Sequence, residues 1–176
     1  MGCWGIDAFS SDAGLDAIIF IRKRLPESGK LDLTEIIRDM ELSNYVPEIV
    51  AGESHSGPMA LAEMVVKFCD GDFEGLDYET DWAVKDNKLK DIVSFTADKE
   101  SLQCLRDYLA KTLAFARFNA SQNTDWNGWF EESDWDGWQA HMSKLTERMD
   151  ELIACPKKSV ELVRERNSLS QGEISM

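Results

Sequence analysis

A chain of 176 residues, 43% of them hydrophobic, fits one globular domain with a substantial core and leaves too little material for two. Nineteen basic residues against 33 acidic ones give a net charge of −14, which disfavours nucleic acid and anionic membrane as direct partners. Four scattered cysteines with no C-x-x-C pair, and only two histidines, argue against a zinc site; the longest apolar run, residues 17–21, falls far short of the roughly 20 residues a membrane span needs.

The opening "MGCWGIDAFSSDAGLDAI" has the pattern M-G-x-W-G-x-x-x-F-x-x-D-x-x-x-D. Gly2 and Gly5 free the backbone around Trp4, Phe9 can act as a hydrophobic staple, and Asp12 and Asp16 complement the positive end of a helix dipole. Met1-Gly2 is not followed by the Ser or Thr at position 6 that myristoylation requires, since Ile6 stands there. Met1, Gly2, Trp4, Gly5, Phe9, Asp12 and Asp16 match a signature that resembles the N-terminus of the bacterial domain of unknown function 4259 family. The resemblance covers about the first 20 residues. It implies a bacterial or mobile-element origin and brings no established catalytic residues. A site built from Trp4, Asp12 and Asp16 is the functional alternative to a purely structural motif.

Ser11 or Asp12 can cap a helix running to Leu25, where Pro26 and Gly29 break the chain; "AIIFI" makes it a central helix in preference to a buried strand. A shorter helix follows over residues 33–42. "GESHSGP", residues 52–58, sets Ser54, His55 and Ser56 beside glycines, but it reads G-x-S-x-x-G with no apolar strand before it, so it is not a nucleophile elbow. Pro58 instead opens a helix over residues 58–69, with Leu61, Met64, Val65 and Phe68 at helical spacing.

The acidic stretch "DGDFEGLDYETD", residues 70–81, resembles a calcium loop, yet Glu74 and Asp81 stand where an EF-hand has Asp or Asn and Glu. Residues 82–84 and 91–95 are candidates for a small β-hairpin around 82–95. Over residues 99–118, Leu102, Leu105, Leu109, Thr112 or Leu113, and Ala116 form a helical stripe that Asp98 can cap.

"DWNGWFEESDWDGW", residues 125–138, holds four of the six tryptophans. Its two copies lie nine residues apart, about half a helical turn net, so they would face opposite ways on one helix. Trp135, Trp138, Met142, Leu145, Met149 and Leu152 are spaced 3, 4, 3, 4 and 3, which predicts a long packing helix with Ser133 as its cap and Pro156 as its stop. Trp126 and Trp129 belong to no such stripe and are candidates for a surface aromatic site. The scattered thiols are expected reduced, with Cys69 and Cys104 buried. Residues 1–156 are expected to form the acidic domain, and 157–176 a mobile, mildly basic tail with a weak helical segment at 160–166.

The expected fold is therefore mainly α, a single compact domain of about five helices. No acid pair, phosphate loop or nucleophile motif singles out a catalytic centre; His141, beside the long apolar seam, reads as a satisfied or solvent-facing side chain. The expectation is a cytoplasmic, non-enzymatic protein without metal or cofactor. Its base-free acidic windows, Asp70, Asp72, Glu74, Asp77, Glu79 and Asp81, then Asp125, Glu131, Glu132, Asp134 and Asp136, would engage a basic protein surface with Trp126 and Trp129 as anchors. Immunity proteins that neutralise toxins, and DNA mimics that inhibit defence or CRISPR nucleases, are proteins of this class. The alternatives are a metal-assisted hydrolase using clustered carboxylates and a housekeeping scaffold domain.

Overall fold

The computed structural model describes residues 3–72, 74–77, 89–123, 132–155 and 159–163. Among them are five α-helices and three short strands: α1 (Asp12–Arg22), β1 (Lys30–Asp32), α2 (Leu33–Leu42), α3 (Ser56–Asp70), β2 (Ser94–Asp98), α4 (Lys99–Ser121), α5 (Trp135–Ile153) and β3 (Ser159–Val163). The mainly helical, single-domain fold expected from the periodicity is the one formed.

Caps account for most of the helix starts. Ser11 Oγ accepts the Gly14 N–H at 3.0 Å, Asp32 accepts from Thr34 and Glu35 at 2.9 and 3.2 Å, and Asp98 accepts from Ser101 at 2.6 Å. The expected Ser133 cap is not made: a 3₁₀ turn over Glu132–Asp134 precedes α5, and Asp134 takes the N-cap position without a side-chain cap bond. A tight turn there already orders the backbone that a serine cap would have organised.

The central helix is α3, not α1. Every residue from Ser56 to Val65 is buried, and Phe68 continues the core against Phe95 of β2, their rings edge-on at 5.3 Å. Along α4, Leu102, Leu105, Leu109, Thr112, Leu113 and Ala116 are buried, the stripe read from the sequence. Trp138, Met142, Leu145 and Met149 of α5 are buried likewise, with Trp135 and Leu152 half-buried at its ends.

Helix directions follow from the cross-links. Glu63–His141 and Asp70–Arg148 advance together along α3 and α5, so these two run parallel. Arg106–Asp150 and Arg117–Gln139 advance oppositely along α4 and α5, so those two are antiparallel.

The strands depart from the expected hairpin. Leu89–Asp91 is a 3₁₀ turn, and β2 starts only at Ser94. One edge of β2 pairs parallel with β1, Leu31 opposite Phe95, and the other pairs antiparallel with β3, Phe95 opposite Leu162. Both edges are thereby occupied by distant segments; residues 82–84 lie outside the described residues. Residues 159–163, read as tail with helical character, form β3: two valines in five residues favour extended backbone, and β2 offers a ladder that a lone helical turn lacks. Cys69 and Cys104 are exposed rather than buried, because each faces away from the stripe its neighbours Phe68 and Leu105 contribute to.

Candidate functional site

The first acidic window begins where α3 ends. Asp70 accepts from Arg148 of α5 at 2.6 Å, and the same guanidinium bonds Glu151 at 2.8 Å. Asp72 takes the Lys67 ammonium at 2.8 Å and the Glu74 N–H at 3.1 Å; the Lys67 bond holds its carboxyl below the usual range. Asp77 accepts the N–H groups of Leu89 and Lys90 at 2.8 and 3.1 Å, organising the turn before β2. Three of the four described carboxylates of this window therefore serve local structure, and Glu74 alone has no side-chain bond among the described residues. Glu79 and Asp81 lie outside the described residues. No group of three His, Cys, Asp or Glu side chains suited to a metal ion occurs among the described residues.

In the second window, Asp125, Trp126, Trp129 and Glu131 lie outside the described residues. Glu132 and Asp134 sit in the 3₁₀ turn and Asp136 in the first turn of α5. Their carboxylates make no ion pair among the described residues, and that helix end favours negative charge. Trp135 and Trp138 stack at 5.7 Å with 16° between their planes; Trp138 is 0% exposed and is core, as its place in the seam predicts.

The described parts of the two windows do not merge. Because α3 and α5 run parallel, Asp70 lies beside Arg148 while Asp136 lies at the other end of the pair. The 12 to 14 residues between them on α5 correspond to about 20 Å.

The N-terminal arm meets α5 at its acidic end. Trp4 N–H donates to Ser10 O at 2.9 Å, Cys3 bridges to Ser11, and Asp7 accepts from Ser10 N–H at 2.9 Å to cap the 3₁₀ turn Ala8–Ser10. Ser11 Oγ donates to Ala8 O at 2.9 Å while capping α1. A Cβ on Gly14 would run into the Ala8 carbonyl, so the close approach of arm and helix requires glycine. The opening motif is thus organised by its own backbone. Ile6 lies against Gly137 of α5, and Trp4, two residues earlier, is 59% exposed. Asp16 is exposed on α1 and lines a cleft that Trp4 does not line.

Behind the arm is a buried polar node. Glu63, 4% exposed within the apolar α3, accepts the Ala8 N–H on both oxygens at 2.8 and 3.0 Å and lies 2.7 Å from His141 Nε2. Burial raises its carboxyl above the ordinary value, while the His141 and Ala8 bonds pull it down. The sequence carries part of the signal: Met59, Ala60 and Val66 lie three or four residues from Glu63 on its helical face, although Lys67, four residues on, ends that apolar stretch.

At "GESHSGP", Ser54 and Ser56 hydroxyls lie 3.1 Å apart, and His55 is buried edge-on to Phe115 with centroids at 6.0 Å. Burial lowers its imidazole pKa. Comparison with family models, curated proteins and solved structures gives no match to this chain. No described helix is long and apolar enough to cross a membrane.

Proposed function

We propose that this chain is a non-enzymatic, acidic binding protein that engages a basic protein surface, in the manner of an immunity protein or a DNA-mimicking nuclease inhibitor. The supporting observation is the start of α5, where the Glu132, Asp134 and Asp136 carboxylates have no cation partner among the described residues, beside the arm that exposes Trp4. Charges without internal partners steer association over a Debye length, and an exposed indole supplies short-range energy on contact. Asp125, Trp126, Trp129 and Glu131 lie outside the described residues and enter the proposal by their adjacency in sequence to Glu132. Asp70, Asp72 and Asp77 contribute background field, being committed to Arg148, Lys67 and the Leu89 turn.

The test is affinity capture from a bacterial lysate, followed by binding of the purified partner at rising salt. A basic partner that loses affinity with salt, competes with duplex DNA, and weakens on Glu132→Gln, Asp134→Asn, Asp136→Asn and Trp4→Ala supports the reading. A partner indifferent to salt and to these four changes overturns it.

A further inference from the structure

A cleft of about 270 Å³ opens between α1 and the connection from α2 to α3, lined by Asp16, Asn44, Tyr45, Glu53, Ser54 and Gly57 among others. It has room for about nine waters at liquid density, and so for a compact solute. Asp16 and Glu53 reach it from segments far apart in sequence, and neither carboxylate has a hydrogen bond or ion pair to any described residue. Arg24, which lies 3.4 Å over the ring of Phe20, the residue that Tyr45 packs on, is engaged with Asp39 at 3.3 Å.

The walls are pre-formed. Tyr45 N–H donates to Met40 O at 2.8 Å past Asn44, whose φ is +60°, and the Tyr45 ring rests 4.5 Å from Phe20. Tyr108 Oη donates to Pro47 O at 2.9 Å and fixes the rim. Gly57 lies so close to the Tyr45 carbonyl that a Cβ there would collide with it. The cleft is thus lined by two acidic residues without an ion pair to any described residue, by Asn44 and Ser54, and by Tyr45 on a rigid frame.

We propose that this cleft binds a small organic cation bearing a guanidinium or primary ammonium group, with Asp16 and Glu53 as its counter-ions. A planar or tetrahedral N–H donor set satisfies both carboxylates and the neighbouring oxygens, and Tyr45 supplies a π surface to the cation. Asp16 stands on α1 and Glu53 on the α2–α3 connection, so this site is distinct from the start of α5, and either can fail without the other.

Titration calorimetry of the full chain with agmatine tests it. One-site saturation is expected, weakened about tenfold or more by Asp16→Asn and by Glu53→Gln, and unchanged by the Asp134→Asn/Asp136→Asn double variant. Both cleft acids are exposed, so these variants should melt with the wild type, and a melting scan verifies that loss of binding is not loss of fold. Absence of saturable binding, or equal weakening by the Asp134→Asn/Asp136→Asn variant, would show only diffuse attraction to an acidic surface and overturn the proposal.

Discussion

His141 Nε2 lies 2.7 Å from Glu63 Oε1, joining α5 to the most buried carboxylate of α3, whose two oxygens also accept the Ala8 N–H. Three segments of chain meet at one ionisable group, so its protonation is coupled to folding. Burial raises the Glu63 pKa above the ordinary 4.5. The folded state then binds a proton more readily than the unfolded state between 4.5 and the raised value. This contribution to stability is full below about 4.5 and is lost as pH rises through the folded pKa.

Glu63→Gln should remove that decline while keeping an acceptor for Ala8 and a donor for His141. His55, with its pKa lowered from 6.5 by burial, acts with the opposite sign, its stability being lost as pH falls. It is common to both proteins, so the difference between their melting curves against pH isolates Glu63 together with its His141 contact. Parallel curves would refute the assignment.

Gly14→Ala should destabilise the protein by about 2–3 kcal/mol, because the new Cβ meets backbone rather than a side chain able to turn aside. Urea unfolding measures the loss. The same change should raise exchange of the Gly14 and Ala8 amides, since α1 must move off the arm; undiminished stability would mean that the two can part at no cost.

Trp138→Ala should cost about 3–5 kcal/mol and Trp135→Ala distinctly less, though the two indoles stack on each other. The former is fully enclosed and the latter half-buried, so only the first truncation leaves a cavity. Equal losses in urea unfolding would count against this placement of the α5 seam.

Arg148→Ala removes the bonds to Asp70 and Glu151 from the α5 surface. Its side chain is 32% exposed and those of its partners 50% and 63%, so solvent screens both pairs and the cost should stay below about 1 kcal/mol. The difference from wild type should shrink further at high salt, read from paired melting scans.

The helical skeleton was legible because burial repeats at the helical period: Leu102 to Ala116 and Trp138 to Met149 face inward where their spacing put them. The sheet was not, because β2 draws both neighbours from segments more than sixty residues distant from it, and no local pattern encodes a pairing over such separations. The acidic surface was half legible. Composition located the acids, but whether Asp70 meets Arg148 or Asp136 meets no cation among the described residues depends on the relative run of α3 and α5. In the sequence His141 looks like an ordinary seam neighbour, since its role depends on Glu63, 78 residues away.

The two cross-links between α3 and α5 share that spacing of 78 residues, which makes them a gauge of register. An apolar seam stepping 3, 4, 3, 4, 3 nearly reproduces itself after seven residues, so grease alone would tolerate a slide of about 10 Å along the pair. Such a slide toward the start of α5 would bring Asp134 to the position of His141 and set two carboxylates together in the interior, at a severe cost. The polar contacts select, among alignments that the apolar side chains scarcely distinguish, the one in which these helices lock.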